Sequence, residues 1–131
     1  MPAKILVVED EPDNIAIFTR LLGRKGYETI VADNKSDALA KAESEQPDLI
    51  LMDIKMPDAP GTAKNDMAGL EATLQLKSQE STRAIPIIAL TAQTMANDQK
   101  RISEAGCDAM QAKPIDFASL LAAIEEHLPK S

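Results

Sequence analysis

The chain has no tryptophan, one tyrosine and two phenylalanines among its 131 residues. With so few aromatic side chains, its hydrophobic core must be built from Leu, Ile, Val, Ala and Met. A single cysteine, Cys107, excludes an intramolecular disulfide and favours a reducing compartment. No apolar run approaches the roughly 20 residues that span a bilayer, and no basic segment precedes an apolar one at the start. We therefore expect neither a membrane span nor a signal peptide. We expect the protein to be cytoplasmic.

Basic charge is also scarce. Fourteen Lys and Arg residues stand against 21 Asp and Glu residues, which gives a formal net charge of −7. A nucleic-acid-binding protein usually carries a basic patch, because neutralisation of phosphates dominates its affinity. The sequence shows no such patch and predicts no nucleic-acid partner. Its five glycines form neither a P-loop nor a dinucleotide-binding motif, which argues against direct ATP or NAD binding.

Short apolar runs alternate with longer amphipathic segments along the chain. Four runs are continuous, as in parallel strands that helices cover on both faces, and a weaker fifth spans residues 108–112. The four runs are residues 5–8, 29–32, 49–52 and 87–90. Between them apolar residues recur at helical spacing, as at Ile15, Phe18 and Leu22. Five strand–helix units predict one α/β domain over residues 1–131, with a doubly wound five-stranded parallel sheet.

Helix boundaries and one irregular segment complete this outline. Ser36 and Asp116 are predicted to cap helices. Met67, Leu70 and Leu74 are predicted to share the apolar face of the third helix. Residues 58–66 have the composition of turns and loops without apolar periodicity. We expect an inserted, mobile loop there, with little to bury.

Charged and hydroxyl residues stand at four predicted strand ends. Glu9 and Asp10 follow the first strand, Asp53 the third, Thr91 the fourth and Lys113 the fifth. These ends share one edge of a doubly wound sheet, where ligands bind. Crowded carboxylates repel unless a cation neutralises them, and oxygen-only ligands suit Mg²⁺. An Asp after a strand is often only a turn or capping residue, but four such ends together predict magnesium-dependent phosphoryl transfer to Asp53.

Four segments resemble the signature segments of two-component receiver domains. They are Val-Val-Glu-Asp-Glu at 7–11, Leu-Met-Asp-Ile-Lys-Met-Pro at 51–57, Ala-Leu-Thr-Ala at 89–92 and Ala-Lys-Pro-Ile at 112–115. The segments occur in the family's order and near its spacing, and the similarity covers essentially the whole chain. Residues 26–29 and 105–108 resemble single-domain regulators of the DivK-like type and the receivers of hybrid kinases. The resemblance implies the flavodoxin-like (βα)5 receiver fold.

The resemblance also implies roles for individual residues. Asp53 would be the phosphoacceptor, and Thr91 and Lys113 would contact the phosphoryl group. The implied magnesium ligands are Asp10, Asp53, the Lys55 backbone carbonyl and, mainly through an ordered water, Glu9. The Lys113–Pro114 peptide is expected to be cis, which X–Pro bonds tolerate.

Two departures from the family pattern stand out. The glycine that usually follows the phosphoacceptor by eight positions is Gly69, sixteen positions after Asp53, so about eight residues are inserted beside the site. Met110 stands three residues before Lys113, where the family usually has an aromatic residue that swings inward on phosphorylation. We expect the switch to act instead through the helix that carries Met95 and Ile102, whose apolar face is thin.

The expected function is a phosphorylation-dependent switch of protein–protein interactions, not an enzyme acting on other substrates. The implied donor is a phosphohistidine on a sensor histidine kinase or a histidine phosphotransfer protein, docking beside Ile15 and Phe18. The start at Met1 favours an independent product without an output domain, although a phosphate-relay receiver cut from a hybrid kinase is an alternative.

Two rivals come from other classes. A magnesium-dependent aspartyl-phosphate phosphatase normally has a second aspartate two positions after the nucleophile, where this chain has Lys55. A flavin-binding module would need a hydroxyl-rich phosphate loop after the first strand and aromatic residues around the ring, both of which are missing. Cys107 is expected to be a small packing residue rather than a nucleophile.

Overall fold

The computed structural model describes residues 2–92 and 96–128. Its strands are β1 (Lys4–Val8), β2 (Glu28–Ala32), β3 (Leu49–Asp53), β4 (Met56–Pro57), β5 (Lys64–Asn65), β6 (Ile87–Thr91) and β7 (Ala109–Ala112). Its helices are α1 (Pro12–Arg24), α2 (Lys35–Glu45), α3 (Ala68–Ser78), α4 (Ala96–Ala105) and α5 (Phe117–His127). Met95, predicted to belong with the fourth helix, lies outside the described residues.

The five main strands form one parallel sheet in the order β2-β1-β3-β6-β7. A helix lies between each main strand and the next, with the short strands β4 and β5 preceding α3, so the connections between parallel strands cross over a face of the sheet. The predicted doubly wound five-stranded fold is confirmed. The strand order reverses between β1 and β3, which places the switch point of the topology at their carboxyl ends.

The core lies on both faces of this sheet. Ile5 and Val7 pack into one apolar cluster with Phe18 of α1 and Leu120 of α5. Their neighbours along β1 point the other way, because successive side chains of a strand alternate between faces, and pack with residues of α2 and α3. The strands β1 and β3 are thereby buried on both faces.

Helix caps explain two of the boundaries. Asp116 accepts hydrogen bonds from the backbone N–H groups of Ala118 and Ser119 and caps α5, as predicted. The prediction for Ser36 is wrong, because Asn34 caps α2 by accepting from the Asp37 N–H at 2.8 Å. Ser36 already lies inside the helix, and its N–H donates to the Asp58 carbonyl.

The third helix buries a different face from the one expected. Leu70 is buried, but Leu74 is 54% exposed. The side chains that α3 turns to the sheet include Ala72 and Leu76, which belong to the core around Met52. Small residues at Ala68 and Gly69, both buried, let the start of α3 approach the end of β3 closely.

Residues 58–66 are more ordered than a plain loop. Lys64 and Asn65 form β5, which pairs antiparallel with β4 so that Met56 lies opposite Asn65 and Pro57 opposite Lys64. The tip between them is exposed, as expected. The segment is a short polar hairpin, and its second strand stands next to the carboxyl end of β1. No helix among the described residues is long and apolar enough to cross a membrane.

Candidate functional site

The strand register brings the predicted site residues to one edge. Val8 lies opposite Met52 across β1 and β3, so Glu9, directly after β1, comes beside Asp53, the last residue of β3. Thr91 at the end of β6 lies opposite Ala112, directly before Lys113. Carboxylate oxygens of Glu9, Asp10 and Asp53 lie within 4.8 Å of one another. The convergence expected from the sequence is therefore present.

Glu9 is a fully buried carboxylate with several donors. Its Oε1 accepts from the Asn14 side-chain amide at 3.0 Å and from the Glu11 backbone N–H at 3.4 Å. Its Oε2 lies 3.3 Å from the Lys113 ammonium. Burial of a carboxylate is costly unless it is hydrogen-bonded and paired, so Asn14 at the start of α1 helps to hold Glu9 in the site.

Asp53 and Lys113 form the centre of the site. The Lys113 Nζ lies 3.1 Å from Asp53 Oδ1, and the Asp53 side chain is only 5% exposed. Burial, and then the charge of Glu9, raise the pKa of Asp53 to about 7, against the opposing effect of Lys113. Burial disfavours the Lys113 ammonium, but the charges of Asp53 and Glu9 outweigh that effect and raise the pKa of Lys113. Lys113 therefore keeps its positive charge, whereas the ionised form of the neighbouring Asp53 is disfavoured.

A cavity of about 290 Å³ opens over these groups. Its lining residues are Asp10, Glu11, Asp53, Ile54, Lys55, Lys64, Thr91, Ala92 and Lys113. Thr91 is buried, and its carbonyl accepts from the Lys113 N–H at 2.8 Å, which ties β6 to the segment after β7. The Lys113–Pro114 peptide is cis, as expected. Lys55 lies at the cavity with its ammonium turned to Asp66, 3.4 Å away.

Gly69 allows the start of α3 to lie directly on the end of β3. A Cβ at this position would fall 2.2 Å from the Asp53 carbonyl oxygen and 2.7 Å from the Ile54 Cα. The Gly69 N–H donates to the Ile54 carbonyl at 2.9 Å. Only a glycine fits at position 69. The hairpin of residues 56–65 lies between Asp53 and this glycine in the sequence.

Lys64 and Asn14 are the two site residues that the sequence did not reveal. The Lys64 ammonium lies 3.2 Å from Asp10 Oδ2 and 2.7 Å from Glu11 Oε1. A lysine in a polar segment is usually solvated, and 53 residues separate it from Glu11. To place Lys64 at the site from the sequence, one would have had to predict the hairpin pairing of residues 56–65.

The remaining candidates lie away from the carboxylates. Met110 is half-buried beside Ile102 and Ala105 of α4, where the family usually has an aromatic residue. The Cys107 thiol contacts the Thr73 hydroxyl at 3.8 Å, and burial raises its pKa to about 11. A thiol with so high a pKa is a poor nucleophile at neutral pH, which agrees with the predicted packing role.

The donor set of the site suits Mg²⁺. The three clustered groups are carboxylates, a hard oxygen donor set, and two of them border an open cavity with room for the waters that Mg²⁺ retains. Burial, and then the charge of Glu9, raise the pKa of Asp53, so its ionised form is disfavoured unless further positive charge is supplied. A divalent cation would supply that charge.

Comparison with known proteins agrees with the fold. A family model described as the response regulator receiver domain matches residues 5–125, and the chain belongs to this family. It is 40% identical over 128 residues to the polar-differentiation response regulator DivK of Brucella anthropi, across 98% of each chain.

Two solved receiver domains are also similar. One belongs to a sensor histidine kinase of Pseudomonas aeruginosa and has a magnesium ion in its active-site cleft; it is 31% identical, with a TM-score of 0.82 over 97% of this chain and 98% of that one. The other is the BeF3-activated N-terminal receiver domain of RstA from Klebsiella pneumoniae, 28% identical, with a TM-score of 0.81 over 97% of this chain and 99% of that one. The chain is therefore a receiver domain, and its own carboxylate cluster of Glu9, Asp10 and Asp53 could hold a metal ion.

Proposed function

We propose that Asp53 accepts a phosphoryl group from a phosphohistidine and that the phosphorylated domain changes its protein partners. The observation that carries the proposal is the position of Asp53, which borders the cavity between the Lys113 ammonium and the other carboxylates. An Asp53 carboxylate oxygen would attack the phosphorus, and the bond from phosphorus to the imidazole nitrogen of the donor would break. The imidazole would leave with the electron pair of that bond.

The surrounding residues have distinct parts in this proposal. Lys113 would offset charge that develops on the phosphoryl oxygens, and the Thr91 hydroxyl would donate a hydrogen bond to one of them. Glu9, Asp10, Asp53 and the Lys55 backbone carbonyl would hold Mg²⁺, with Glu9 acting mainly through a water. The metal would neutralise the carboxylates and the incoming phosphoryl group. We infer no turnover of other substrates, because Lys55 stands where a phosphatase needs its second aspartate.

A groove next to the cavity supports a protein as the donor. It encloses about 560 Å³ and is lined by Asn14, Ile17, Phe18, Ala92, Lys113, Pro114, Ile115 and Phe117. Ala92 and Lys113 border both the groove and the phosphoryl cavity. A helix of a sensor histidine kinase or a histidine phosphotransfer protein would lay apolar side chains here and bring its histidine to Asp53. The proposal also places the chain in the cytoplasm with such a donor, and assigns it no nucleic-acid or membrane partner.

Intact mass spectrometry tests the phosphoacceptor. The wild-type protein incubated with acetyl phosphate and Mg²⁺ should gain the mass of one phosphoryl group, and a chelator should suppress the gain. Asp53→Asn should gain nothing, whereas Asp66→Asn, which removes an exposed carboxylate of the hairpin region, should label like wild type. Labelling of the Asp53→Asn protein to the wild-type extent would assign the phosphoryl group to another residue.

A phosphate relay is the second candidate, favoured by the similarity to the receiver domain of a histidine kinase. A relay would return the phosphoryl group from Asp53 to a histidine phosphotransfer protein. Mixing the phosphorylated domain with such a protein and following both masses distinguishes transfer from simple hydrolysis to inorganic phosphate.

A further inference from the structure

Lys64 reaches the carboxylate cluster from outside the five-stranded sheet. It belongs to β5, and the pairing of Pro57 with Lys64 across the hairpin sets its position. Its ammonium contacts Asp10 Oδ2 at 3.2 Å and Glu11 Oε1 at 2.7 Å. Lys64 lines the same cavity as Asp53.

Polar contacts at the base of the hairpin support this placement. The Asn65 side-chain amide donates to Asp58 at 2.9 Å and to Glu71 at 2.8 Å. The Lys35 ammonium lies 3.2 Å from the same Asp58 and 3.1 Å from the same Glu71. Together these contacts connect the hairpin to α2 and α3, so Lys64 is presented to Asp10 by a supported strand and not by a free loop.

The two lysines divide the carboxylates of the site between them. Lys113 contacts Glu9 and Asp53, and Lys64 contacts Asp10 and Glu11. Glu11 and then Asp10 raise the pKa of Lys64, so its ammonium is charged at every physiological pH. The Asp10 side chain is only 9% exposed, and little solvent screens this pair on the carboxylate side.

We propose that Lys64 is an intramolecular competitor of Mg²⁺ for Asp10, so that the hairpin sets the magnesium affinity of the site. The inference rests on the proposed role of Asp10 as a metal ligand. Mg²⁺ binds carboxylate oxygens at about 2.0–2.1 Å, so an ion on Asp10 and an ammonium within 3.2 Å of the same carboxylate would repel each other strongly.

Lys64 can move away from Asp10 when the metal binds. Its side chain is 42% exposed and carried on a flexible four-carbon stem. Glu11, which is 53% exposed, lies outside the carboxylate cluster of Glu9, Asp10 and Asp53 and remains as a partner. Lys64 therefore leaves Asp10 without unfolding the hairpin. Each magnesium-binding event carries the cost of breaking this one ion pair.

Titration calorimetry with Mg²⁺ tests the competition on the chelator-treated protein. We expect Lys64→Gln to bind Mg²⁺ about fivefold more tightly than wild type, which is the equivalent of an ion pair worth about 1 kcal/mol. Lys64→Arg keeps the cation and should stay within about twofold of wild type. Lys100→Gln removes the same charge from exposed α4 and should also stay within about twofold.

A second measurement needs no variant. Lysine acylation followed by peptide mass spectrometry should show Lys64 becoming more reactive on addition of Mg²⁺, with Lys100 unchanged. Equal or weaker Mg²⁺ binding by Lys64→Gln, or a Lys64 reactivity that Mg²⁺ leaves unaltered, would overturn the competition. Absence of Mg²⁺ binding by the wild-type protein would instead refute the metal site itself, so the two failures are distinguishable.

Discussion

The raised pKa of Asp53 predicts that this residue destabilises the metal-free fold at alkaline pH. Its carboxyl is buried beside Glu9, and its pKa is about 7 in the folded protein against 3.8 for an unperturbed Asp. Between these values the folded protein binds a proton that the unfolded chain has lost. Stability must therefore fall as the pH rises from about 4 to 7 and then level off. Asp53→Asn, which keeps the shape and removes the charge, should lack this contribution.

The magnitude follows from the size of the shift. One pKa unit is worth about 1.4 kcal/mol, and about two units separate pH 5 from the pKa of Asp53. The wild-type protein should thus lose roughly 3 kcal/mol relative to Asp53→Asn between pH 5 and pH 8.5. The attraction between Asp53 and Lys113 needs no separate correction to this free energy. It already lowers the pKa of Asp53 from which the free energy was obtained.

Urea unfolding of both proteins with a chelator, at pH 5 and at pH 8.5, measures this difference. The advantage of Asp53→Asn should grow with pH, and saturating Mg²⁺ at pH 8.5 should remove much of it, because the metal binds only the folded cluster. The Cys107 thiol stays protonated in the folded protein at both pH values, since burial raises its pKa to about 11, and its ionisation in the unfolded chain affects both proteins equally. If the free energies of unfolding of the two proteins differed by the same amount at both pH values, the pKa of Asp53 would not be raised in the folded protein.

Three further predictions concern the surroundings of the site. Gly69→Ala should lower the free energy of unfolding in urea by about 1–3 kcal/mol or more, because backbone atoms occupy the place of its Cβ. The control is Gly23→Ala, which has nothing within 4 Å of the added carbon and should be neutral or stabilising. Shortening residues 58–65 should leave a cooperative melt, because the segment is held by ion pairs near the surface, which stabilise a fold only weakly; failure to fold would make the segment structural. Beryllofluoride should change amide exchange around α4 in both wild type and Met110→Ala, because methionine is adaptable in its packing; a response abolished in Met110→Ala but kept in Thr91→Ala would make Met110 the switch.

The fold and most of the site were predictable because they depend on local signals. Continuous apolar runs marked the strands, and topology then placed Glu9, Asp53 and Lys113 at one edge without any knowledge of distances. The helix cap at Asn34 was missed because Ser36 is an equally good capping residue, and only the backbone conformation decides between them.

Long-range side-chain contacts were beyond this reasoning. Lys64 belongs to a segment whose composition indicates only a loop, and its pairing with Asp10 depends on a two-residue strand register. Leu74 is likewise exposed because α3 packs on the sheet with Ala72 and Leu76 instead, a tertiary arrangement that helical periodicity alone does not determine.

The charge balance of the site explains why two lysines belong there. When Glu9, Asp10, Glu11 and Asp53 are all ionised, they carry four negative charges against the two positive charges of Lys64 and Lys113. The remaining two match one Mg²⁺. Phosphorylation of Asp53 would replace one carboxylate charge with roughly two phosphoryl charges, so the phosphorylated site should hold the metal more strongly. Because binding linkage is reciprocal, Mg²⁺ should favour the phosphorylated form, and displacement of Lys64 from Asp10 should be most complete there.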